Sequence, residues 1–481
     1  MVMKRLARQF AAAGLMVSAP TLAGSPPLTM AQATNSITAV AAYATVERLA
    51  APEFAGRLTG SPGHAAAARW VAAELKRAGL RALPGMPDLL QRFPVTVNGV
   101  ETAAMELLAA DDKGPAQRLE NFKDFLPLFF SGTGEVTAEI VFVGFGITAP
   151  VLGRDDYAGL DVKGKVVMAV RGAPKDGRDW IAHNSHRART ANARAHGAAG
   201  YLFAESAVAN PNGDQIADLA MAGVTAEIAN SILSGSKLTL DDVRKVLEKG
   251  GVASFATGRK VHLAVKAKAP RAGEGANVVG ALPGRDATLG EFVVVGGHLD
   301  HCGDWPVLLP GADDNASGSA TVLEIARAAA RLKPRPRRTV VFVFFAGEEE
   351  GLLGSKFFVA HLPAGLGRCV GMFNLDMEGA GNGAFVAGGK NFPELLRRLE
   401  EARDRRAPGM LLQAGLSEGE ARSDHGPFQS AGIAAVSLFG AGGSHHGYHA
   451  PDDTLWWITP KTMEAVGRVV LDAAVSVADA P

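Results

Sequence analysis

The chain has 481 residues, 47% apolar and 20% charged, the composition of a soluble globular protein too long for one ordinary core. Its 49 basic and 49 acidic side chains cancel to a formal net charge of zero. That balance removes the electrostatic case for a nucleic-acid or anionic-membrane binder and leaves small or peptide-like partners.

At the N-terminus, Lys4, Arg5 and Arg8 precede an apolar run from Phe10 to Ala23, and Ala31-Gln32-Ala33 supplies a small-x-small cleavage pattern. Residues 1–33 are therefore expected to be a signal peptide, with the protein exported to a periplasmic or secreted location. The run is short for a retained anchor and contains Pro20, so no stable membrane insertion is expected once it is removed. Loss of its three basic residues leaves a net charge of −3. In an oxidising compartment Cys302 and Cys369 become candidates for a disulfide, their pairing left open. A nucleophilic Cys302 is disfavoured because no His/Asn pattern accompanies it and nearby acids would keep the thiol neutral.

Residues 34–130 read as the first part of the main domain. Ile37–Ala50 is amphipathic, the loop PEFAGRLTGSPG follows, and Gly63–Ala78 carries strong helix formers closed by Gly79. From about Glu135 the texture becomes TAEIVFVGFGITAP, KGKVVMAVRG and AAGYLFA, short strand-like runs around a helix at His186–His196. A β-rich insert over 131–268 is the expectation, with Trp180, His183 and His186 in a surface loop. Over 269–481, apolar runs such as TVVFVFFAG, CVGMFNLDM and AAVSLFG alternate with helical stretches. This predicts an α/β domain with a mainly parallel, mixed sheet flanked by helices. Its last helix opens at Thr459-Pro460.

The polar residues cluster at the carboxyl ends of these predicted strands. His298 follows Phe292–Val295, the triplet Glu348-Glu349-Glu350 follows Thr339–Phe345, Asp376 follows Cys369–Asn374, and His449 lies beyond Ala434–Phe439. Asp314 precedes a helix starting near Ser317. Ligands of open α/β sheets bind at that edge, and mixed imidazole and carboxylate donors suit zinc. Two ions sharing one carboxylate would also give adjacent glutamates separate tasks, one as ligand and its neighbour as general base.

GGHLD, GADDNASG, AGEEEGLLGS, NLDMEG, SDHGPF and GYHAPDDT, in that order, resemble the motifs of the co-catalytic di-zinc aminopeptidase family, which is related to glutamate carboxypeptidase. The 131–268 insert resembles the protease-associated domain of many members. By this resemblance two Zn2+ ions are expected, His298 and Asp376 on one, Glu349 and His449 on the other, and Asp314 bridging. Glu348 matches the general base that activates a bridging hydroxide, Asp300 the carboxylate that orients the histidine ligand, and Tyr448 the hydroxyl that stabilises the oxyanion. Asp313 and Glu350 are left as supporting or solvated acids, and His445 and His446 rival His449 until the motif decides. The implied activity is removal of N-terminal residues from peptides. The alternatives are a carboxypeptidase or dipeptidase on the same metal pair, or a metal-free receptor-like binding protein. Neither substrate preference nor oligomeric state follows from the motifs.

Overall fold

The computed structural model describes residues 26–108, 114–205, 207–212, 215–416 and 421–481. The larger sheet has eight strands: β1 (Leu90–Val97), β2 (Arg271–Leu282), β3 (Glu291–His298), β4 (Thr339–Phe345), β5 (Arg368–Leu375), β6 (Gly383–Ala387), β7 (Leu411–Ala414) and β8 (Ala435–Ala441). Their order across the sheet is β1-β2-β4-β3-β5-β8-β6-β7. Strands β4, β3, β5 and β8 run parallel; β2 pairs antiparallel with both β1 and β4, and β6 pairs antiparallel with β8 but parallel with β7. The near-continuous apolar runs arise because both faces are covered. Val293, Val295, Phe342 and Phe344 face one cluster with Val322 and Val469, whereas Phe292, Val294, Val341 and Phe345 face another with Phe358 and Phe428. The carboxyl ends of the parallel strands thus open on one edge.

Helices α1 (Ala39–Leu49), α2 (Pro62–Ala78), α3 (Gly318–Ala330), α4 (Leu353–Ala360), α5 (Pro393–Arg406) and α6 (Pro460–Asp479) surround this sheet. Helix α2 ends where Gly79 turns left-handed at φ 89°. Thr459 caps α6 in position only, since its side chain makes no cap bond. A further short helix, Met30–Ser36, buries Ala33 and Thr34, and Leu28 pairs with Leu332. The Ala31-Gln32-Ala33 pattern expected at the leader boundary thus lies within this helix. The remainder of that expectation, up to residue 25, lies outside the described residues. No helix among the described residues is long and apolar enough to cross a membrane.

The second eight-stranded sheet starts earlier than the expected 131. Val100–Leu108 already pairs with Ser254–Ala267, so the inserted unit leaves the first sheet after β1 and returns at β2. The sequence hid this because Val100–Leu108 is only weakly patterned and its partner lies about 150 residues downstream. Trp180, expected in a surface loop, is buried in the core of this unit. The insert meets the main domain through Leu126, Phe129, Ala207 and Ala209, which pack with Cys302 and Leu309. Cys369 belongs to a different cluster, and both cysteines are free thiols.

One buried cation ties the N-terminal segment to the sheet edge. Ala55, Gly56 and Arg57 all adopt positive φ, and a side chain on Gly56 would lie 2.0 Å from the Gly303 carbonyl. This strained turn carries the fully buried Arg57 guanidinium to the carbonyls of Leu49, Leu299, Pro310 and Gly311, at 2.7–2.8 Å. Arg57→Ala would orphan four carbonyls and should cost about 3 kcal/mol or more in denaturant unfolding, with Arg57→Lys recovering only part. A loss below about 1 kcal/mol would contradict the strut.

Candidate metal centre

Strand β3 ends in His298, whose Nδ1 is 3.2 Å from the Asp300 carbonyl oxygen. The chain then loops to an irregular turn, Ala312–Ser317, in which Asp314 and Asn315 leave helical geometry. Two side chains, Asp453 and Asn315, hold this turn. The Asp453 carboxylate accepts the amides of Asp313 and Asp314 at 2.8 and 3.0 Å. Asn315 donates to the Leu375 carbonyl and accepts from Gly318 and Met377. Gly318 permits the approach, because a Cβ there would sit 2.4 Å from the Asn315 side chain.

After β4 the glutamate turn is tied down by Asp300, whose two carboxylate oxygens accept the amides of Glu348 and Glu349 at 3.3 and 3.2 Å. This corrects the expected role of Asp300: its carboxylate is 3.8 Å from His298 Nδ1, and its backbone carbonyl is the nearer partner of the imidazole. Asp376, beyond β5, accepts the Ser423 hydroxyl at 2.6 Å. His449, at φ 53°, approaches the Ala209 carbonyl through Nδ1 at 2.7 Å.

The five expected donors converge in two groups that share one residue. His298 Nε2 lies 3.3 Å from Asp314 Oδ1 and 3.4 Å from Asp376 Oδ1. His449 Nε2 lies 3.2 Å from Asp314 Oδ2 and 2.9 Å from Glu349 Oε2. Tetrahedral zinc with bonds of about 2.0 Å requires donors about 3.3 Å apart, so each group has the spacing of a closed half-shell. Glu348 belongs to neither group. It is half-buried, and burial raises its pKa well above the ordinary range against an opposing effect of His298, with Glu349, Asp376 and Asp424 adding to the rise. Glu350 is turned towards Asp300 and lines the cleft between the two domains. Tyr448 is 48% exposed and stacks on the His449 ring at 3.9 Å. Asp313 and His445 bond each other at 2.7 Å, which removes His445 as a rival donor, and His446 stacks on Trp457.

His301 was not foreseen. Fully buried, it places Nδ1 2.9 Å from Glu349 Oε1, the oxygen that does not face His449. The imidazole three residues after His298 was the available signal, but only the loop shows where it points. Cys302 is buried beside His449 with its pKa raised well above normal, mainly by burial, which fits a neutral thiol.

Electrostatically the centre is crowded with acids. Asp313, Asp314, Glu349, Asp376, Glu378, Asp424 and Asp453 are all buried, with the Arg57 guanidinium nearby. Burial lifts Glu378 and Asp453 to about 8 and Asp424 to about 7. Burial would raise Asp314 as well, but hydrogen bonds from His298 and His449 hold it well below the ordinary range. Against the effect of burial, His298 is pushed up by Glu348, Asp376 and Asp314, and His449 by Cys302, Glu349, Tyr448 and Asp314. Without a cation the imidazoles must supply the compensating positive charge, and divalent ions at the two donor groups would supply it more fully. The donor set fits two zinc-like cations.

Residues 277–474 match peptidase family M28. Leupeptin-inactivating enzyme 1 of Streptomyces exfoliatus is 33% identical over 209 residues, 43% of this chain and 43% of that protein. The Arthroderma benhamiae protein named "Probable leucine aminopeptidase" is 32% identical over 208 residues, 41% of this chain and 56% of that one. The chain thus spans about half the length of these curated relatives. Two solved structures share the fold: an aminopeptidase from Aneurinibacillus sp. strain AM-1, with a TM-score of 0.65 over 92% of this chain and 95% of that one at 24% identity, and a peptidase M28 precursor from Shewanella amazonensis SB2B, with a TM-score of 0.68 over 94% and 96% at 22% identity. Residues 277–474 are thus similar in sequence to peptidase family M28, and the chain as a whole shares the fold of these two structures.

Proposed function

We propose that the chain is an exported two-zinc aminopeptidase that hydrolyses the N-terminal bond of peptides. The observation that carries this reading is the Asp314 carboxylate, which offers one oxygen to the His298 group and the other to the His449 group. His298 and Asp376 would hold one ion, Glu349 and His449 the other, and Asp314 both. When bound, the pair supplies Lewis acidity, lowering the pKa of water and polarising the scissile carbonyl. Glu348 accepts the proton of the attacking water and returns it to the leaving amine. Asp300 fixes the glutamate turn, and His301 turns the Glu349 carboxylate by holding its second oxygen. The Tyr448 hydroxyl donates to the developing oxyanion. The relatives named as aminopeptidases support peptide substrates, and the basic and apolar opening of the sequence supports export.

A carboxypeptidase or dipeptidase reading has one observation in its favour, since Arg171, Arg187 and Lys356 line the interdomain cleft beside Glu350, where a terminal carboxylate could be held. Peptides with a blocked amine separate the two, because only the aminopeptidase requires the free amine. A receptor-like module is disfavoured, as it has no need of all five donors.

A chelator should abolish hydrolysis of aminoacyl chromogenic substrates and zinc should restore it. Glu348→Gln should keep both metals by elemental analysis while turnover falls by about 10²–10⁴-fold. Near wild-type turnover in that variant would remove the general-base role.

Metal-free protein should also show a defined pH response. Glu378 is fully buried, and burial raises its pKa from 4.5 to about 8 against an opposing effect of the Thr321 hydroxyl. The folded state therefore keeps a proton that the unfolded state releases near 4.5, so this contribution is full at low pH and is lost as pH rises towards about 8. Asp453, His298 and His449 act with the same sign, whereas the depressed Asp314 and Glu349 titrate at lower pH. Chelated protein should melt lower at pH 8.5 than at pH 6.5, and Glu378→Gln should narrow the gap. A higher melting temperature at pH 8.5 would contradict the assignment.

A further inference from the structure

The two donor groups differ in what holds them from behind. His298 Nδ1 meets the Asp300 carbonyl, and Asp376 accepts the Ser423 hydroxyl, both contacts lying within the main domain. His449 instead meets the inserted domain twice. Its Nδ1 is 2.7 Å from the Ala209 carbonyl, and its own carbonyl accepts the Ala209 amide at 2.9 Å. Ala209 lies between the insert strands Gly200–Glu205 and Ala220–Thr225, 240 residues before the histidine in sequence. Ala207 and Ala209 are buried, and they pack with Cys302 and Leu309 of the metal loop.

We infer that Ala209 is a positioning residue for the His449 metal position, so that seating of the inserted domain and occupancy of that position are linked. The inference rests on the two-metal reading above. An Nδ1 proton donated to the Ala209 carbonyl leaves the Nε2 lone pair aimed between Asp314 and Glu349; without that carbonyl, tautomer and ring direction are both unfixed. Loss of such an outer partner costs about 10–100-fold in metal affinity. Linkage is reciprocal, so an ion at this position must stabilise the seated segment by the same factor. Among the described residues the His298 position has no such connection, and the two ions should therefore bind unequally.

The full-length chain carries the test. Ala209→Phe cannot be accommodated at a fully buried alanine and should lift the segment, whereas Ala209→Gly keeps both backbone bonds. Zinc affinities are measured by competition with a chromophoric chelator, and exchange of the Ala209 amide is followed at zero, one and two equivalents of zinc. Wild type and Ala209→Gly should hold two ions. Ala209→Phe should hold one with unchanged affinity and bind the other about 10–100-fold more weakly. In wild type the Ala209 amide should gain protection with one equivalent only, the one that fills the His449 position. Equal weakening of both ions, unchanged binding of both, or an amide indifferent to both equivalents would overturn the inference. The exchange measurement on wild type decides the matter even if Ala209→Phe fails to fold. Failure of the wild type to bind zinc at all would instead remove the two-metal reading itself.

Discussion

Everything at the sheet edge depends on burying more carboxylates than the protein has cations to neutralise. Asp314 sits between two imidazoles, with Glu349 and Asp376 flanking it and Asp313, Asp424 and Asp453 behind. Charge of one sign in a low-dielectric setting is costly, and the protein's own remedies are limited: burial pushes acids such as Glu378 and Asp453 up, the acids around His298 and His449 push those imidazoles up, and the Arg57 guanidinium lies close by. Each is a partial solution. Two divalent ions would be a complete one, and the donor spacings suit them.

Such a centre needs a rigid frame, because like charges left to themselves move apart. Parallel strands β3, β4 and β5 supply the base, delivering His298, the glutamate turn and Asp376 from adjacent strand ends. Backbone contacts then set directions: Asp453 on the amides of Asp313 and Asp314, Asp300 on those of Glu348 and Glu349, and Arg57 on carbonyls at both ends of the metal loop. Several acids here thus act through peptide groups. The inserted domain joins the same scheme, since its Ala209 carbonyl performs for His449 what the Asp300 carbonyl performs for His298.

The sheet was legible in the sequence for a definite reason, whereas the five expected donors were implied by a resemblance to family motifs. Runs such as Thr339–Phe345 announce strands buried on both faces, and polar residues directly after them can lie only at the carboxyl edge. What stayed hidden depends on backbone partners or on loop direction. Arg57 reads as one more arginine in a Gly-rich loop, because nothing in PEFAGRLTGSPG shows four carbonyls waiting for it. His301 directly follows the recognised GGHLD stretch, yet its direction is set by the loop after it. Asp300 was expected to bond the histidine through its carboxylate, but the carboxylate was drawn to the glutamate turn. Ala209 has no side-chain signature at all. The insert boundary was missed because Val100–Leu108 acquires its identity only from a strand 150 residues later.

The central claim is that Asp314 divides its two oxygens between two ions. Zinc-edge anomalous diffraction from crystals of the zinc-loaded chain tests it most directly. Two peaks about 3.5–4 Å apart are predicted, one beside His298 and Asp376 and the other beside Glu349 and His449, with one Asp314 oxygen facing each. A single peak, or two peaks of which either lies away from Asp314, would contradict the account.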